Sequence, residues 1–175
     1  VEISDIIDDV EMATHWLVDN QYSLHLDCNR IAVIGRSAGA HLAAMLACRS
    51  AQKQTTISGR IGHLCLVSGV FDLQYLIGTQ MNERLGLTVE KSNALSPTHS
   101  TPPEGLSVDS TVGAFETVGF FEQQTYLAQV WADKTDWTQA SVANTDHLSI
   151  WSQIGTPSSV MAERVLASLR ALRFD

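Results

Sequence analysis

The stretch Ile31-Ala-Val-Ile-Gly-Arg-Ser-Ala-Gly-Ala-His-Leu42 decides the fold of this chain. Four strand-forming apolar residues lead into a Gly-x-Ser-x-Gly motif, and a helical pattern follows at once. This order is typical of a tight strand-to-helix turn that presents a serine hydroxyl clear of the backbone. We expect Gly35 and Gly39 to be required, because a Cβ at either position would collide with the turn or a neighbouring strand. The motif therefore predicts that Ser37 is a nucleophile at the carboxyl end of a strand.

The residue after the serine has an expected function of its own. Ala38 begins the new helix, and the first N–H groups of a helix have no intrahelical acceptor. We therefore expect the Ala38 amide to stabilise the oxyanion that forms when the serine attacks a carbonyl. A phosphate-binding turn is a weaker alternative. The motif lacks the Lys-Ser/Thr ending of a P-loop, and no acidic residue follows at the spacing of a dinucleotide site.

Strand and helix patterns alternate outward from this stretch. The predicted strands are Ile31–Ile34, the nearly continuous apolar Ile61–Val70, Asp109–Ala114 and Thr138–Val142. The longer predicted helices run from a cap at Ser4 to Asn20, from Ala38 to Arg49, from Phe120 to Ala132, and from Pro157 at the first helical position to Phe174. This alternation predicts one α/β domain over residues 1–175, with a mostly parallel sheet and helices on both faces.

Two of these helices have predicted inward faces. In the first helix the apolar residues on one face are Ile6, Val10, Ala13, Trp16 and Leu17. In the last helix the residues expected to face inward are Val160, Leu166, Leu169, Ala171 and Leu172.

The composition excludes several classes of function. The net charge is −8 without a lysine or arginine cluster, which disfavours nucleic-acid and membrane-surface partners. No apolar run approaches the ~20 residues of a membrane span, and the N-terminus lacks signal-peptide features, so we expect a cytoplasmic protein. The three cysteines lack metal-type spacing, and Cys48 and Cys65 are predicted to be reduced core residues. We expect neither a metal nor a cofactor.

A serine nucleophile needs a general base, and the base needs a carboxylate that orients it. In folds of this kind the three residues follow the order nucleophile, acid, histidine. His147 is the histidine that lies late in the chain, in a polar loop after the last predicted strand. His99, in an irregular stretch, is the second choice. The remaining histidines lie in predicted helices, in a strand, or ahead of the nucleophile strand: His15, His25, His41 and His63.

Glu116 is the candidate acid. It stands two residues past the predicted strand Asp109–Ala114, 79 residues after Ser37 and 31 residues before His147. Asp72, after the second predicted strand, is its main rival, but a role as a helix cap accounts better for Asp72. Asp146 is adjacent to His147 and is poorly placed to reach the ring.

Seven segments, in the same order along the chain, carry a family resemblance. They are Gly35–Ala43, Ser68–Leu73, Asn82–Leu87, Ser96-Pro97, Val112–Glu116, Phe120–Gln123 and Asp146–Ile150. Together they resemble α/β-hydrolases of the kynurenine formamidase (arylformamidase) and carboxylesterase group. The resemblance implies a serine hydrolase that acts on an ester or an aryl formamide, with Ser37 as nucleophile, His147 as base and Glu116 as acid. The family commonly has aspartate at the position of the acid.

The resemblance also implies a missing part. The family has four strands and a His-Gly-Gly-type oxyanion loop ahead of the serine, and by that comparison this chain corresponds to the C-terminal two-thirds. We expect the apolar strand Ile31–Ile34 to meet an upstream segment, another chain or a second copy, because an exposed flat apolar edge invites pairing. The loss of an oxyanion donor lowers the rate about 10²–10³-fold, so the alternative is a weak or inactive hydrolase-like chain.

Overall fold

The computed structural model describes residues 2–53 and 55–171. The strands are β1 (Ile31–Arg36), β2 (Ile61–Val67), β3 (Ser107–Gly113) and β4 (Asp136–Val142). The longer helices are α1 (Ile3–Asp19), α2 (Ala38–Gln52), α6 (Val118–Trp131) and α8 (Val160–Ala171). The short helices are α3 (Gln74–Ile77), α4 (Asn82–Leu85), α5 (Val89–Leu95) and α7 (Ser149–Ser152), with 3₁₀ turns at Pro97–His99 and Gln153–Gly155.

The four strands form one parallel sheet in the order β1-β2-β3-β4. The register places Ile34 beside Cys65 and Cys65 beside Asp109. Because all four strands run in the same direction, their carboxyl ends lie together at one end of the sheet. The segments that begin at Ser37, Ser68, Ala114 and Ala143 therefore leave the sheet on the same side, where sites form in open α/β sheets.

Helices cover both faces of this sheet. On one face α1, α2 and α6 pack in a core with inward residues of β2 and β3, including Ala44, Leu64, Leu66, Val108 and Trp131. On the other face α8 and α7 pack against a second cluster that contains Cys65, Val67, Val142, Ile150 and Met161. The predicted mostly parallel sheet with helices on both faces is confirmed.

β1 lies at one edge of the described sheet. Its apolar residues Ile31–Ile34 are all only half-buried, whereas β2 is buried along most of its length. A groove of about 370 Å³ runs beside β1, with Val10 and Leu17 of α1 among its lining residues. The residues that the model describes thus contain the open apolar edge that the sequence predicts.

The face of α1 that packs inward differs from the prediction. The helix buries Ile7, Glu11 and Val18, while Trp16 and Leu17 are exposed by 57% and 43%. Of the other predicted inward residues, Val10 is half-buried, and Ile6 and Ala13 are exposed. The Glu11 carboxylate accepts hydrogen bonds from Arg49 of the neighbouring α2 at 3.4 Å and from Lys53, the C-cap residue of α2, at 3.0 Å. These ion pairs fix a polar residue of α1 against α2, which an apolar periodicity could not anticipate.

The N-terminal cap of α1 also differs from the prediction. The helix begins at Ile3 with Glu2 as the cap, and the Glu2 N–H donates to Asp5 Oδ2 at 2.8 Å. Ser4 lies inside the first turn and is not the cap.

The prediction for α8 was wrong in two respects. The helix begins at Val160, so Pro157 lies ahead of it in a turn. Val160, Leu166 and Leu169 are exposed, and the residues that face inward are instead Met161, Ala162, Val165 and Ser168. Ser168 is buried because its hydroxyl donates to the Arg164 carbonyl at 2.9 Å. The predictions for the side chains of Ala171, Leu172 and Phe174 fall outside the part of the chain that the structure describes.

The cysteines occupy the core. Cys28, Cys48 and Cys65 are buried free thiols, as predicted for Cys48 and Cys65. Burial raises the pKa of Cys48 and of Cys65 to about 12, so these thiols stay protonated and unreactive at neutral pH. Among residues 2–53 and 55–171, no helix has the length and apolar character needed to cross a membrane.

Candidate active site

Ser37 occupies a strained turn between β1 and α2. Its backbone has φ 54° and ψ −120°, a positive φ that residues other than glycine rarely adopt. The Ser37 amide donates to the Val67 carbonyl at 2.8 Å, which fixes the turn to the end of β2. Strain of this kind is typical of functional positions that the surrounding structure holds in place. The local geometry is that of a sharp strand-to-helix elbow.

The two glycines of the motif differ in their importance. A Cβ on Gly35 would lie 2.1 Å from the Gly39 carbonyl oxygen, so glycine is required there as predicted. A Cβ on Gly39 would meet nothing within 4 Å among the described residues. The expectation that Gly39 avoids a collision was therefore wrong. The backbone of Gly39 lies close to Gly35, and the absence of a side chain at Gly35 makes room for it.

The Ala38 amide is available to a ligand. Ala38 is the first residue of the 15-residue helix α2, and it is exposed. No acceptor for its N–H is present within hydrogen-bond distance in the described part of the chain. The partial positive charge of a helix N-terminus adds to the attraction of such a free N–H for an anion.

Glu116 and His147 are in direct contact. His147 Nδ1 lies 2.9 Å from Glu116 Oε2, and the glutamate side chain is fully buried. Glu116 Oε1 accepts two more hydrogen bonds, from the Ser68 hydroxyl at 2.5 Å and from the Gly113 amide at 2.7 Å. The carboxylate is thus held by three donors, and it fixes Nδ1 of the imidazole as an N–H donor.

The imidazole of His147 is held on its face as well as at its edge. The ring of Phe120 stacks on it with centroids 4.5 Å apart and planes inclined by 23°. The His147 side chain remains 30% exposed, and within residues 2–53 and 55–171 its Nε2 has no hydrogen-bond partner. With Nδ1 bound to Glu116, Nε2 is the nitrogen that can accept a proton.

The serine and the histidine both lie at the carboxyl end of the sheet, on segments that follow different strands. No hydrogen bond joins the Ser37 hydroxyl to the His147 imidazole in the described residues. A contact between the two segments exists one residue earlier, where Arg36 Nη1 donates to the His147 carbonyl oxygen at 2.6 Å. The structure thus brings the predicted acid and base together and connects the predicted nucleophile to them through its neighbour.

The rival candidates have other partners. Asp72 is buried and its Oδ1 accepts the Gln74 amide at 2.9 Å, next to the start of α3. His41 Nε2 bonds to the Leu95 carbonyl at 2.7 Å, and His63 Nδ1 lies 3.0 Å from Ser107 Oγ. His99 closes a 3₁₀ turn and has no side-chain hydrogen bond among the described residues.

Three residues of the site were not predicted from the sequence. Ser68 and Arg36 act through side-chain contacts with partners 48 and 111 residues away, and Phe120 stacks on a residue 27 positions later. Ser68 gave a usable signal, because a serine directly after a buried strand lies at the same end of the sheet as Ser37. Arg36 and Phe120 gave none, since an arginine and a phenylalanine near strand and helix ends are common.

An apolar cavity of about 140 Å³ lies beside the stacked ring of Phe120. Its lining residues are Val70, Tyr75, Leu76, Thr117, Gly119, Phe120 and Gln123. Gln123 is buried and fixes one wall, because its Oε1 accepts the amides of Phe71 and Asp72 at 2.6 and 2.7 Å. The cavity offers an apolar group a place next to Phe120, the ring that stacks on His147.

The first half of the chain matches a known family. The BD-FAE family model matches residues 2–96, which include α1, the Ser37 turn and α2. The chain belongs to the BD-FAE family. The kynurenine formamidase of Salmo salar is 33% identical over 144 residues, which cover 78% of this chain and 48% of that protein. This BD-FAE chain spans about half the length of the curated relatives it matches.

Solved structures show that this BD-FAE family member has the α/β-hydrolase fold. Inhibited esterase B of Lactobacillus rhamnosis aligns with a TM-score of 0.74 at 18% identity, covering 98% of this chain and 62% of that one. Esterase 2 of Thermogutta terrifontis, phosphoramylated by tabun, aligns with a TM-score of 0.69 at 21% identity, covering 98% of this chain and 64% of that one.

Proposed function

We propose that this chain carries the catalytic residues of a serine hydrolase that cleaves carboxylic esters or aryl formamides. The observation that carries the proposal is the buried Glu116 carboxylate bound to His147 Nδ1. This contact leaves Nε2 of His147 available at the carboxyl end of the sheet, where the strained Ser37 also lies. An acid–base pair beside a serine on a strand-to-helix turn is the arrangement that acyl transfer requires. Similarity to kynurenine formamidase supports the same chemistry.

In the proposed reaction, Ser37 Oγ bonds to the substrate carbonyl carbon as His147 Nε2 takes the hydroxyl proton. Glu116 orients the imidazole and stabilises its protonated form. The Ala38 amide stabilises the oxyanion. When the tetrahedral intermediate collapses, the leaving alcohol or amine takes the proton from His147. Water, deprotonated by the same histidine, then releases the acid and regenerates Ser37. The mechanism uses no metal or cofactor.

We favour a small acyl group on an aromatic amine as the substrate. The apolar cavity lined by Tyr75 and Phe120 supports this choice, because a planar ring placed there would pack against Phe120, which stacks on His147. The kynurenine formamidase relatives point in the same direction. A short-chain carboxylic ester is the second substrate class, and the esterase fold of the two solved structures is consistent with it.

A second candidate function is that of a hydrolase-like chain that is active only with a further strand at β1. The half-buried edge of β1 and the half-length match to the relatives favour it. A single oxyanion donor at Ala38 would leave the rate about 10²–10³-fold below that of a site with a second donor. Under this proposal, His147 activates Ser37, but the 175-residue chain turns over substrate slowly.

The test is the intact mass of the chain after incubation with a fluorophosphonate, which bonds covalently to an activated serine. We expect one adduct on the wild-type chain, none on Ser37→Ala, and at least about 10²-fold slower labelling of His147→Ala, because the base is lost. His99→Ala is the matched control and should label like the wild type. The thiols of Cys48 and Cys65 do not compete, because burial raises their pKa values to about 12. A folded wild-type chain without an adduct would refute the proposal.

A further inference from the structure

Arg36 is the last residue of β1 and directly precedes Ser37. Its Nη1 donates to the main-chain carbonyl of His147 at 2.6 Å, across 111 residues of sequence. The arginine is half-buried, and no carboxylate of the described residues lies within ion-pair distance of it. The guanidinium thus uses its planar set of N–H donors on a main-chain carbonyl and not on a carboxylate.

Ile34 of β1 packs against the apolar cluster that contains Ile150, but the other hydrogen bonds of the histidine segment do not reach β1. Glu116 and Phe120, which hold the imidazole, belong to the segment that follows β3. Asp146 Oδ1 accepts the Leu148 and Ser149 amides at 3.0 and 2.8 Å, which shapes the turn internally. Thr145 accepts the Phe115 amide at 2.8 Å, again from the β3 side. β1 and β4 lie at opposite edges of the described sheet and do not pair with each other, so the Arg36 bond is a direct link between segments that the sheet joins only through β2 and β3.

We propose that Arg36 is a positioning residue that fixes the distance between the nucleophile and the general base. The proposal rests on the function proposed above. Arg36 is covalently adjacent to Ser37 and hydrogen-bonded to the main chain of His147, so it couples the two segments with one side chain. Proton transfer from serine to histidine requires hydrogen-bond distance, and a displacement of about 1 Å can lower a rate about 10²-fold. Arg36, the variable residue before the serine in the Gly-x-Ser-x-Gly motif, therefore has a function in this chain.

The experiment compares Arg36→Met, Arg36→Lys and wild type for the second-order rate of fluorophosphonate labelling of Ser37. Methionine keeps much of the side-chain length without a donor, whereas lysine keeps a charged donor. We expect labelling to slow by about 10–100-fold in Arg36→Met and to be partly restored in Arg36→Lys, because only the donor is in question. Melting temperatures measured in parallel report the stability of each variant.

Arg60→Met is the matched control. Arg60 Nη1 also donates to a main-chain carbonyl, that of Cys28 at 3.0 Å, in a region remote from the proposed site. Arg60→Met should label at the wild-type rate. Wild-type labelling in Arg36→Met would overturn the proposal. Equal slowing in Arg36→Met and Arg60→Met would also overturn it, because the effect would then follow general destabilisation.

Hydrogen exchange separates this proposal from the proposed function. The peptide over residues 143–152 should exchange faster in Arg36→Met than in the wild type, by about tenfold, because the His147 segment loses its attachment to β1. The same peptide should be unchanged in Arg60→Met. If the wild-type chain forms no adduct, the proposed function fails, and this measurement still decides on the attachment: unchanged exchange in Arg36→Met would refute it.

Discussion

At the scale of single residues, Glu116 shows what a glutamate side chain, one methylene longer than that of aspartate, can reach. Glu116 lies three residues past β3, and its side chain reaches back so that Oε1 accepts the amide of Gly113. Gly113 is itself required, because a Cβ there would lie 2.6 Å from the Thr145 carbonyl oxygen. The longer side chain therefore bridges the end of β3 and the histidine segment, which pack closely at this glycine.

Ser68 gives the prediction that belongs to this scale. Its hydroxyl donates to Glu116 Oε1, and its backbone has φ 50°. Ser68→Ala and Ser68→Gly both remove the donor, and we expect kcat on a small aryl ester to fall about tenfold in each with little change in KM. Glycine relieves the positive φ, so Ser68→Gly should be about 1 kcal/mol more stable to urea than Ser68→Ala. Full activity in Ser68→Gly would show that backbone shape, not the hydroxyl, matters.

The residues of the candidate site were predictable only where the chemistry is local or ordered along the chain. The motif around Ser37 and the order of acid and base led to Glu116 and His147, which the structure places in contact. Arg36 binds a partner distant in sequence, and no local pattern marks that contact. Gly39 shows the opposite failure, since a motif glycine was given a steric role that belongs to Gly35.

At the scale of elements, the sequence predicted which segments are helices and strands better than which faces they bury. Periodicity identified α1 and α8, because apolar residues recur at helical spacing in both. The inward faces depend on polar partners elsewhere, such as the ion pairs between Glu11 of α1 and the cations of α2. A pattern of apolar residues cannot identify a buried glutamate. It therefore predicted Trp16 and Leu17 as inward residues, although both are exposed.

Two buried histidines on α2 and β2 predict a loss of stability in mild acid. Burial lowers the pKa of His41 below 6.5, only partly offset by its bond to the Leu95 carbonyl. Burial also lowers the pKa of His63, although Asp109 and Asp136 act in the opposite direction. Below about pH 6.5 the unfolded chain therefore binds protons that the folded chain does not, and stability falls as pH decreases toward the lowered folded pKa values.

The measurement is the free energy of unfolding in urea at pH 7.5 and pH 5.5. Each histidine contributes a loss of at most about 1.4 kcal/mol at pH 5.5 and almost none at pH 7.5. His41→Gln, which keeps a donor for Leu95, and His63→Gln should each reduce the difference between the two pH values. An unchanged difference in the double variant would assign the acid sensitivity to carboxylates instead.

At the scale of the whole molecule, the sheet is closed on one side of β1 and open on the other. The amides of Ile31 and Ser37 donate toward β2, to the carbonyls of Arg60 and Val67. Because successive residues of a strand point their backbone groups in opposite directions, those of Ala32, Ile34 and Arg36 face the open edge. The apolar pattern of Ile31–Ile34 anticipated an edge that favours pairing with a further strand. The sequence pattern cannot specify which strand pairs with this edge, because strand pairing uses backbone groups that nearly every residue type has.

In a solution of this chain alone, the strand available to pair with that edge is β1 of a second copy. We therefore predict that the chain self-associates with a concentration dependence visible in sedimentation velocity, because an unpaired edge with apolar neighbours favours strand addition. Ala32→Pro removes an N–H from the open edge and leaves the bonds to β2 in place, so it should shift the equilibrium toward monomer. Ala32→Val keeps the N–H and should associate like the wild type. A wild-type chain that stays monomeric at every concentration, with its Ile34 amide protected from exchange, would contradict the prediction, because that protection would require a bonding partner for the edge within the chain itself.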